Sequence, residues 1–430
     1  RKIYGRTRYG MSIEITTLPN GLRVATDNMR EAESAVIGAW VGVGTRNEPW
    51  SANGVAHLVE HMMFKGTKKR SAYALSAAIE RNGGMMNAHT TREETAYYAR
   101  VLPEDAGLAC EIIADMLQHS RFDSKELDRE RLVVIQEIGR DRDTPEDYAF
   151  DLLHQTAFPR QRIGRPILGS AKVIASIPRH ALTDYVKQHY HAGNMVIVAA
   201  GRIEHKAFVE MAKKRFGRLP NGKPSINPRA RAVGGEARLQ KPNEQLHFIL
   251  GFPAEGFHAK SLYATQLLGI LLGGTSSSRL FQKVREKRGL VYTVNASHIA
   301  FSDAGIFDIY AGTDPARVGE LVPVICNELN DVKHNVSPSE LKRAQAQARA
   351  DLLMGQENAM RRAEMLGHQL LAFGLPIPAA QILKHVMAVT PKDVEAVARK
   401  IFVRKPLITA LGPVEKLESY GRIAERLKRI

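Results

Sequence analysis

Apolar and polar positions along this chain form the same succession of predicted strands and helices twice. Short runs of apolar or alternating residues predict strands, and apolar residues three and four apart predict helices. In the first half the pattern predicts strands at 34–43, 85–92, 94–101 and 194–200 and helices at 53–65, 72–82, 104–118 and 124–142. In the second half it predicts strands at 245–252, 291–301, 304–312 and 406–411 and helices at 261–273, 277–288, 315–334 and 338–373.

The two series run in the same order at an offset of roughly 210 residues, which is typical of a tandem duplication. We therefore predict an α+β fold of two tandem homologous domains, each a mainly antiparallel sheet packed with helices. Residues 217–240 are rich in Pro, Gly, Asn and Arg and predict a linker. The first domain is then expected at 11–216 and the second at 241–430.

His57, Glu60 and His61 form an H-x-x-E-H pattern inside a predicted helix that Asn53 or Ser51 is expected to cap. Positions i, i+3 and i+4 share one helix face, so both imidazoles and the carboxylate point the same way. Two imidazoles one turn apart can reach a zinc ion at about 2.0–2.1 Å. The carboxylate then lies where it can take a proton from water, and the spacing is that of the inverzincin motif. The alternative is that these side chains bond only one another or solvent.

A third ligand is expected on another element, because catalytic zinc sites combine three protein ligands with one open position. Glu137 lies in the apolar stretch 133–138 of a predicted helix, where a lone charge is costly without a partner. Glu130 lies two turns earlier on the same helix face.

Composition narrows the class of protein. The hydrophobic fraction of 44% and the charged fraction of 25% are ordinary globular values. The net charge of +16 suggests a protein that binds nucleic acid. However, Lys and Arg are scattered and no nucleic-acid-binding motif accompanies them, so nucleic acid is not expected as the primary partner.

No apolar run is long enough to span a membrane. Residues 1–10 lack the apolar core of a secretory signal, and Met11 is a candidate natural start. Cys110 and Cys326 predict no disulfide framework and favour a reducing compartment.

Several further segments accompany the zinc motif, namely 61–67, 87–95, 150–154 and 164–169. With the H-x-x-E-H pattern and Glu137, they resemble the pitrilysin family of zinc peptidases over nearly the whole chain, and within it the bacterial relatives of the processing peptidase β subunit. The resemblance implies zinc ligation by His57, His61 and Glu137, Glu60 as general base, and Glu130 as a residue that supports a ligand. It also implies that Asn87 and Ala88 lie on an edge strand that pairs with an extended substrate.

The second half resembles the family in a different role. The helix predicted at 261–273 stands at the equivalent of the zinc helix and offers no His or Glu, so one zinc ion per chain is expected. The resemblance of residues 276–292 implies that Arg285 binds a peptide carbonyl and that Tyr292 donates to the developing oxyanion. The alternative makes Arg285 a surface cation and Tyr292 a half-buried strand residue.

The resemblance also implies an assembly and a substrate preference. Family members of this size are dimers that enclose a chamber, so a homodimer is expected, with a heterodimer with a homologous subunit as the alternative. Asp147 and Asp151 match acids that bind an Arg near the scissile bond in processing peptidases. A basic residue near the cleavage site is therefore a hypothesis. Otherwise Asp147 is an N-terminal helix charge and Asp151 a routine polar residue.

These observations predict a zinc-dependent endopeptidase that hydrolyses peptides or unfolded segments in a closed chamber. The alternatives are the catalytic subunit of a heterodimeric processing peptidase, a non-catalytic structural subunit of the same fold, and a metal-stabilised binding module. The intact ligand set and Glu60 argue against the structural subunit, and the closed four-ligand site of a structural zinc is absent from the sequence. Two His and one carboxylate also accept other divalent ions. The bacterial cytoplasm is expected as the location, with the mitochondrial matrix as the alternative and without membrane association.

Overall fold

The computed structural model describes residues 3–4 and 12–428, which form two compact units. Met11, the expected start of the first domain, lies outside the described residues, as does most of the stretch 1–10. Of the described residues, the first unit comprises those up to Ile138, Pro166–Pro228 and Leu353–Ala380, and the second comprises Gly139–Arg165, Arg229–Leu352 and those from Gln381 onward.

The first unit is built on a seven-stranded sheet in the order β1-β2-β3-β7-β4-β6-β5. Its strands are β1 (Ile3–Tyr4), β2 (Ser12–Thr17), β3 (Arg23–Asn28), β4 (Ala35–Val41), β5 (Met85–Thr90), β6 (Thr95–Val101) and β7 (Met195–Gly201). All neighbours are antiparallel except β3 and β7, which are parallel.

The second unit is built on a five-stranded sheet in the order β10-β11-β9-β12-β8. Its strands are β8 (Gly235–Gln240), β9 (Leu246–Ala254), β10 (Val291–Ala300), β11 (Gly305–Thr313) and β12 (Leu407–Gly412). Only β12 and β8 are parallel. The order β5-β6-β4-β7-β3 of the first sheet therefore reappears as β10-β11-β9-β12-β8, with the parallel pair in the same place. The prediction of an α+β fold with two mainly antiparallel sheets is confirmed.

Helices cover both sheets. In the first half they are α1 (Val55–Met63), α2 (Ala72–Glu80), α3 (Ala106–His119), α4 (Ser124–Asp143), α5 (Pro145–Ala157), α6 (Ala171–Ser176), α7 (Arg179–His189) and α8 (His205–Phe216). In the second half they are α9 (Leu262–Gly273), α10 (Val318–Asp331), α11 (Pro338–Gly355), α12 (Ala359–Phe373), α13 (Ala379–Ala388), α14 (Pro391–Phe402) and α15 (Tyr420–Leu427). Across the described part of the chain, no helix combines the length and the apolar character needed to cross a membrane.

Each sheet takes one covering helix from the other half of the sequence. On the first sheet, Ile37 and Ile197 face the core formed with α1, α3 and α8, while Val36, Trp40 and Val198 pack against α12. On the second sheet, α5 occupies the equivalent face and α9, α10 and α14 the other. Central strands covered on both faces carry nearly continuous apolar runs, which explains why β4 and β7 are recognisable in the sequence.

A tight contact fixes α12 on its sheet. The indole of Trp40 lies between two glycines, because a Cβ at Gly38 or at Gly367 of α12 would meet the Trp40 ring at 2.5 Å. Arg362 of α12 forms two hydrogen bonds with Asp27 of β3, at 2.7 and 2.6 Å, and both side chains are buried. The helix is therefore an integral layer of the first unit.

Three of the predicted segments take a different form in the structure. The helix predicted at 338–373 is two helices, because the chain turns after Gly355 and the side chain of Asn358 caps α12 by accepting from the amides of Met360 and Arg361. Part of the predicted linker 217–240 is strand β8, since its last proline is Pro228 and residues 235–240 pair with β12. The predicted helix at 277–288 is centred on a π-helical turn, Phe281–Glu286. The compact units run across the limits 11–216 and 241–430, which stay a prediction about the duplicated domains.

Candidate metal centre

Helix α1 carries the H-x-x-E-H pattern, and its apolar face fixes its position. Val55, Leu58, Val59 and Met62 are buried in the first core. His57, Glu60 and His61 lie on the remaining face and are half-buried. The helix thus presents both imidazoles and the carboxylate in the orientation that the spacing predicts.

The N-terminus of α1 is capped by a residue that the sequence analysis missed. The buried carboxylate of Glu48 accepts hydrogen bonds from the amides of Gly54 and Ala56, both at 2.9 Å. The predicted caps, Asn53 and Ser51, are therefore wrong. Asn53 instead donates its side-chain amide to Glu48 at 2.8 Å. A carboxylate here also complements the positive end of the helix dipole.

His57, His61 and Glu137 converge on one point. One ligand atom from each lies within 4.8 Å of the others. Glu137 Oε2 lies 3.4 Å from His61 Nε2 and 3.9 Å from His57 Nε2. Two ligands on a tetrahedral zinc with bonds of about 2.0–2.1 Å are about 3.3–3.4 Å apart, so a small adjustment suffices. Within residues 3–4 and 12–428 no second group of three or more such side chains is arranged to hold a metal ion.

Two atoms of this group are buried without hydrogen-bond partners among the described residues. They are Glu137 Oε2 and His57 Nδ1. Burying a carboxylate oxygen without a hydrogen bond is unfavourable. A metal ion bound between this oxygen and the two imidazoles would remove that cost. Burial, followed by the nearby His61, lowers the pKa of His57 to about 3. His57 is therefore a neutral imidazole, which is the form that binds metals.

Glu130 contacts the ring nitrogen of His61 that does not approach Glu137, and Lys65 pairs with Glu130. Glu130 Oε2 lies 3.0 Å from His61 Nδ1, and Glu130 Oε1 lies 2.7 Å from Lys65 Nζ. This hydrogen bond at Nδ1 directs Nε2 toward Glu137, as carboxylates commonly do for metal-binding imidazoles. Burial lowers the pKa of His61, but the bond to Glu130 and the Glu137 charge outweigh burial and raise it. The surroundings thus favour a cation at His61 Nε2, either a proton or a metal ion. The role predicted for Glu130 fits this geometry, whereas Lys65 was missed.

Glu60 is not part of the ligand group and faces strand β5. The hydroxyl of Thr90, the last residue of β5, donates a hydrogen bond of 2.5 Å to Glu60 Oε2. Burial raises the pKa of Glu60, and the Thr90 bond and the nearby His61 oppose this rise. A carboxylate with a raised pKa beside a metal centre is suited to accept and return a proton.

Strand β5 is an open edge of the first sheet, next to α1. Asn87 and Ala88 lie near its centre, as predicted. The Ala88 amide bonds the side-chain oxygen of its own neighbour Asn87 at 2.8 Å, so it is directed away from β6. An extended peptide could replace this internal bond by adding to the sheet.

The remaining predicted residues belong to the second unit. Arg285 lies in the π-helical turn, exposed, with its guanidinium 4.8 Å from the centre of the Phe281 ring. Tyr292 is 66% exposed and occupies a β-bulge, since β10 skips from Val291 to Thr293 in its pairing. Bulges often redirect a side chain. Asp147 is exposed in the first turn of α5, and Asp151 is half-buried one turn later. Their roles stay predictions.

Comparison with known families gives two matches in series. Residues 23–171 match the sequence model described as insulinase (peptidase family M16), and residues 176–348 match the one described as the peptidase M16 inactive domain. The first match contains the three candidate ligands and Glu60, and the second contains Arg285 and Tyr292.

Individual proteins are similar over most of this chain. A Streptomyces coelicolor protein described as an uncharacterized zinc protease is 37% identical over 94% of this chain and 90% of its own length. A probable mitochondrial-processing peptidase subunit beta of Arabidopsis thaliana is 35% identical over 96% of this chain and 80% of its own length. Among solved structures, a protease from Helicobacter pylori has a TM-score of 0.86 at 22% identity and covers 94% of this chain and 100% of that one. A chain of Complex III2 from Candida albicans also has a TM-score of 0.86, at 21% identity, and covers 97% and 100% of the two chains. At such identities the two structures show the shared fold.

Proposed function

Since this chain belongs to the insulinase family of peptidases (M16), which confirms its resemblance to the pitrilysin zinc peptidases, we propose that it is a zinc-dependent endopeptidase. One observation carries the proposal. His57, His61 and Glu137 bring one ligand atom each within 4.8 Å of the others, and Glu137 Oε2 is buried there without a hydrogen-bond partner among the described residues. The carboxylate of Glu60 stands beside them and outside the ligand set. The proposed substrates are peptides or unfolded segments, because an extended chain can pair with the open edge of β5.

Each residue of the centre has a part in this reaction. When bound, zinc would supply Lewis acidity toward water and the scissile carbonyl. His57, His61 and Glu137 hold the ion, and Glu130 fixes the ring of His61. Because Glu60 Oε2 accepts the Thr90 hydroxyl, we assign to Glu60 Oε1 the proton taken from the attacking water and returned to the leaving amine.

A homodimer would complete the site. We propose that Arg285 and Tyr292 of one protomer bind the scissile carbonyl and stabilise the developing oxyanion in the chamber of the other. The bulge at Tyr292 and the exposure of both side chains support this role. Sedimentation velocity tests the assembly, and a protein that stays at the monomer mass of 47.7 kDa at micromolar concentration would contradict it.

A second candidate is the catalytic subunit of a heterodimeric processing peptidase. The 35% identity to the Arabidopsis protein favours it. Activity that appears only after a homologous subunit is added would support this candidate over the homodimer. The intact ligands and Glu60 argue against a purely structural subunit, despite the fold shared with Complex III2.

The cellular location is also a proposal. Cys110 and Cys326 are both free and buried, which suits a reducing compartment such as the bacterial cytoplasm or the mitochondrial matrix. We propose the cytoplasm, with peptides rather than nucleic acids or membranes as partners. Fractionation of the source cells tests this location, which recovery in a membrane pellet would contradict.

Metal removal tests the proposed function. Purified protein should contain about one zinc per chain and cleave an internally quenched peptide, since the ligand set resembles a three-ligand catalytic site. Dialysis against a chelator should abolish cleavage, and one equivalent of zinc should restore it. His61→Ala should lose the zinc, whereas His180→Ala, at an exposed histidine of α7, should retain it. Cleavage that survives complete zinc removal would contradict the proposal.

Asp147 tests the proposed preference for a basic residue near the cleavage site. Asp147→Ala should lower kcat/KM roughly fivefold for a peptide with Arg at that position, because an exposed ion pair contributes at most about 1 kcal/mol. A matched peptide with norleucine in place of Arg should be unaffected. Asp143→Ala removes an exposed acid at the end of α4 and serves as the control. If wild type and Asp147→Ala show the same ratio of kcat/KM between the Arg peptide and the norleucine peptide, this role of Asp147 is refuted.

A further inference from the structure

We propose that Thr90 is a positioning residue that holds the carboxylate of Glu60 through its hydroxyl. The inference rests on the proposed function, in which Glu60 transfers the proton. Its structural basis is the hydrogen bond from Thr90 Oγ1 to Glu60 Oε2. At 2.5 Å this bond has the length expected of a hydroxyl that donates to an ionised carboxylate.

Thr90 stands at a fixed point of the sheet. It pairs with Thr95 of β6 at the end of the β5–β6 hairpin. The connecting turn is closed by the Thr91 amide, which donates to the carbonyl of Glu94 at 2.8 Å, and by the Thr91 hydroxyl, which donates to the same oxygen at 3.0 Å. The Thr90 hydroxyl is therefore presented to Glu60 from a short hairpin with little freedom.

The side chain next to Glu60 departs from the apolar pattern of its strand. Residues two apart share one face of a strand, and Met86, Ala88 and Thr90 form such a set. Met86 and Ala88 pack against the first core, whereas Thr90 places a hydroxyl beside a carboxylate. Packing alone would accept valine here, because valine has the shape of threonine without the donor. The hydroxyl therefore points to a function in orienting Glu60.

Strand β5 then links substrate pairing to proton transfer. Its edge is where an extended peptide would add, near Asn87 and Ala88, and its last residue holds the proton-accepting side chain. A carboxylate held by one hydrogen bond on the strand stays in register with a substrate paired to the same strand. Without that bond, Glu60 keeps its place on α1 but samples other rotamers.

The test compares Thr90→Val with Thr90→Ser. Thr90→Val should lower kcat by about 10- to 100-fold, because a displacement of about 1 Å at a reacting group has an effect of this size. KM, zinc content and melting temperature should stay close to those of wild type. Thr90→Ser keeps the donor and should recover most of the lost kcat. Thr91→Val, which removes a hydroxyl of the adjacent turn that does not touch Glu60, is the control for damage to the hairpin.

Two kinetic outcomes would overturn the inference. One is an undiminished kcat in Thr90→Val, and the other is an equal loss in Thr90→Ser and Thr90→Val, which would indicate packing. Crystal structures of wild type and Thr90→Val give a reading that needs no activity. The Glu60 carboxylate should occupy one position in wild type and a displaced or divided position in the variant, and an unmoved carboxylate would refute positioning. If wild type cleaves no peptide, the proposed function fails. The crystal structures still decide whether Thr90 positions Glu60, because they show whether the Glu60 carboxylate moves in Thr90→Val.

Discussion

Replacing Glu60 with Gln should lower kcat for peptide hydrolysis by about 10²- to 10⁴-fold while the protein keeps its zinc, which is the range observed for loss of general acid–base catalysis. Glutamine has the size of glutamate and its oxygen can still accept the Thr90 hydroxyl, so the helix and the ligands stay in place. It cannot take a proton from water at neutral pH. Steady-state kinetics on a quenched peptide, with zinc measured on the same samples, checks this prediction.

Glu80→Gln makes the same chemical change at an exposed position at the end of α2 and should leave kcat unaltered. Comparable activity of Glu60→Gln and wild type would remove Glu60 from the reaction. Glu60 lies outside the ligand group, so Glu60→Gln is expected to keep its zinc. Loss of zinc from this variant would show instead that Glu60 helps to hold the metal ion.

The second large effect concerns stability. Arg362→Ala should lower the free energy of unfolding of the first unit by about 3–5 kcal/mol, because it leaves the Asp27 carboxylate buried without its ionic partner. Asp27 is 1% exposed and Arg362 is 8% exposed, and two hydrogen bonds join them. Both tryptophans of the chain, Trp40 and Trp50, belong to the first unit, so urea unfolding followed by their fluorescence reports on this unit.

Arg361→Ala provides a matched control, since Arg361 is the preceding residue of α12 and is exposed. Its effect should stay within about 0.5 kcal/mol. Asp27→Asn and the double variant Asp27→Asn/Arg362→Ala complete a double-mutant cycle, and the two single losses should not add. Losses of equal size in Arg361→Ala and Arg362→Ala would show that the buried ion pair contributes little.

The metal ligands and the central strands could be read from the sequence because both depend on local spacing. One helical turn fixes the relation of His57 to His61 whatever surrounds them. The strands β4 and β7 are covered on both sides and therefore consist of apolar runs. The duplicated order of elements followed from these same local patterns.

The features that could not be predicted from the sequence depend on contacts between distant segments of the chain. Glu48 caps α1 from several residues before the helix, whereas the usual capping pattern places the cap next to the first turn and therefore predicts Asn53 or Ser51. Thr90 lies 30 residues from Glu60, and nothing in an alternating strand marks one hydroxyl as a partner of a carboxylate. The strand β8 was hidden because its pairing partner β12 lies about 170 residues later in the chain.

The break after Gly355 was missed for a related reason. Residues 338–373 have helical periodicity throughout, and only the capping side chain of Asn358 marks the turn. The apolar face of α12 is matched to the Trp40 side of the first sheet, which the sequence of α12 alone does not specify.

The exchange of α5 and α12 makes the order of synthesis matter. The last strand of the first sheet, β7, ends at Gly201 and α12 begins at Ala359, 158 residues later (359 − 201). At roughly 5–20 residues per second, the ribosome takes about 8–30 s to deliver that helix. During this interval the sheet face around Trp40 has no cover, while α5 is finished and waits for strands not yet made. The nascent chain therefore exposes two apolar surfaces during this interval, the face of the first sheet around Trp40 and the side of α5 that later packs on the second sheet.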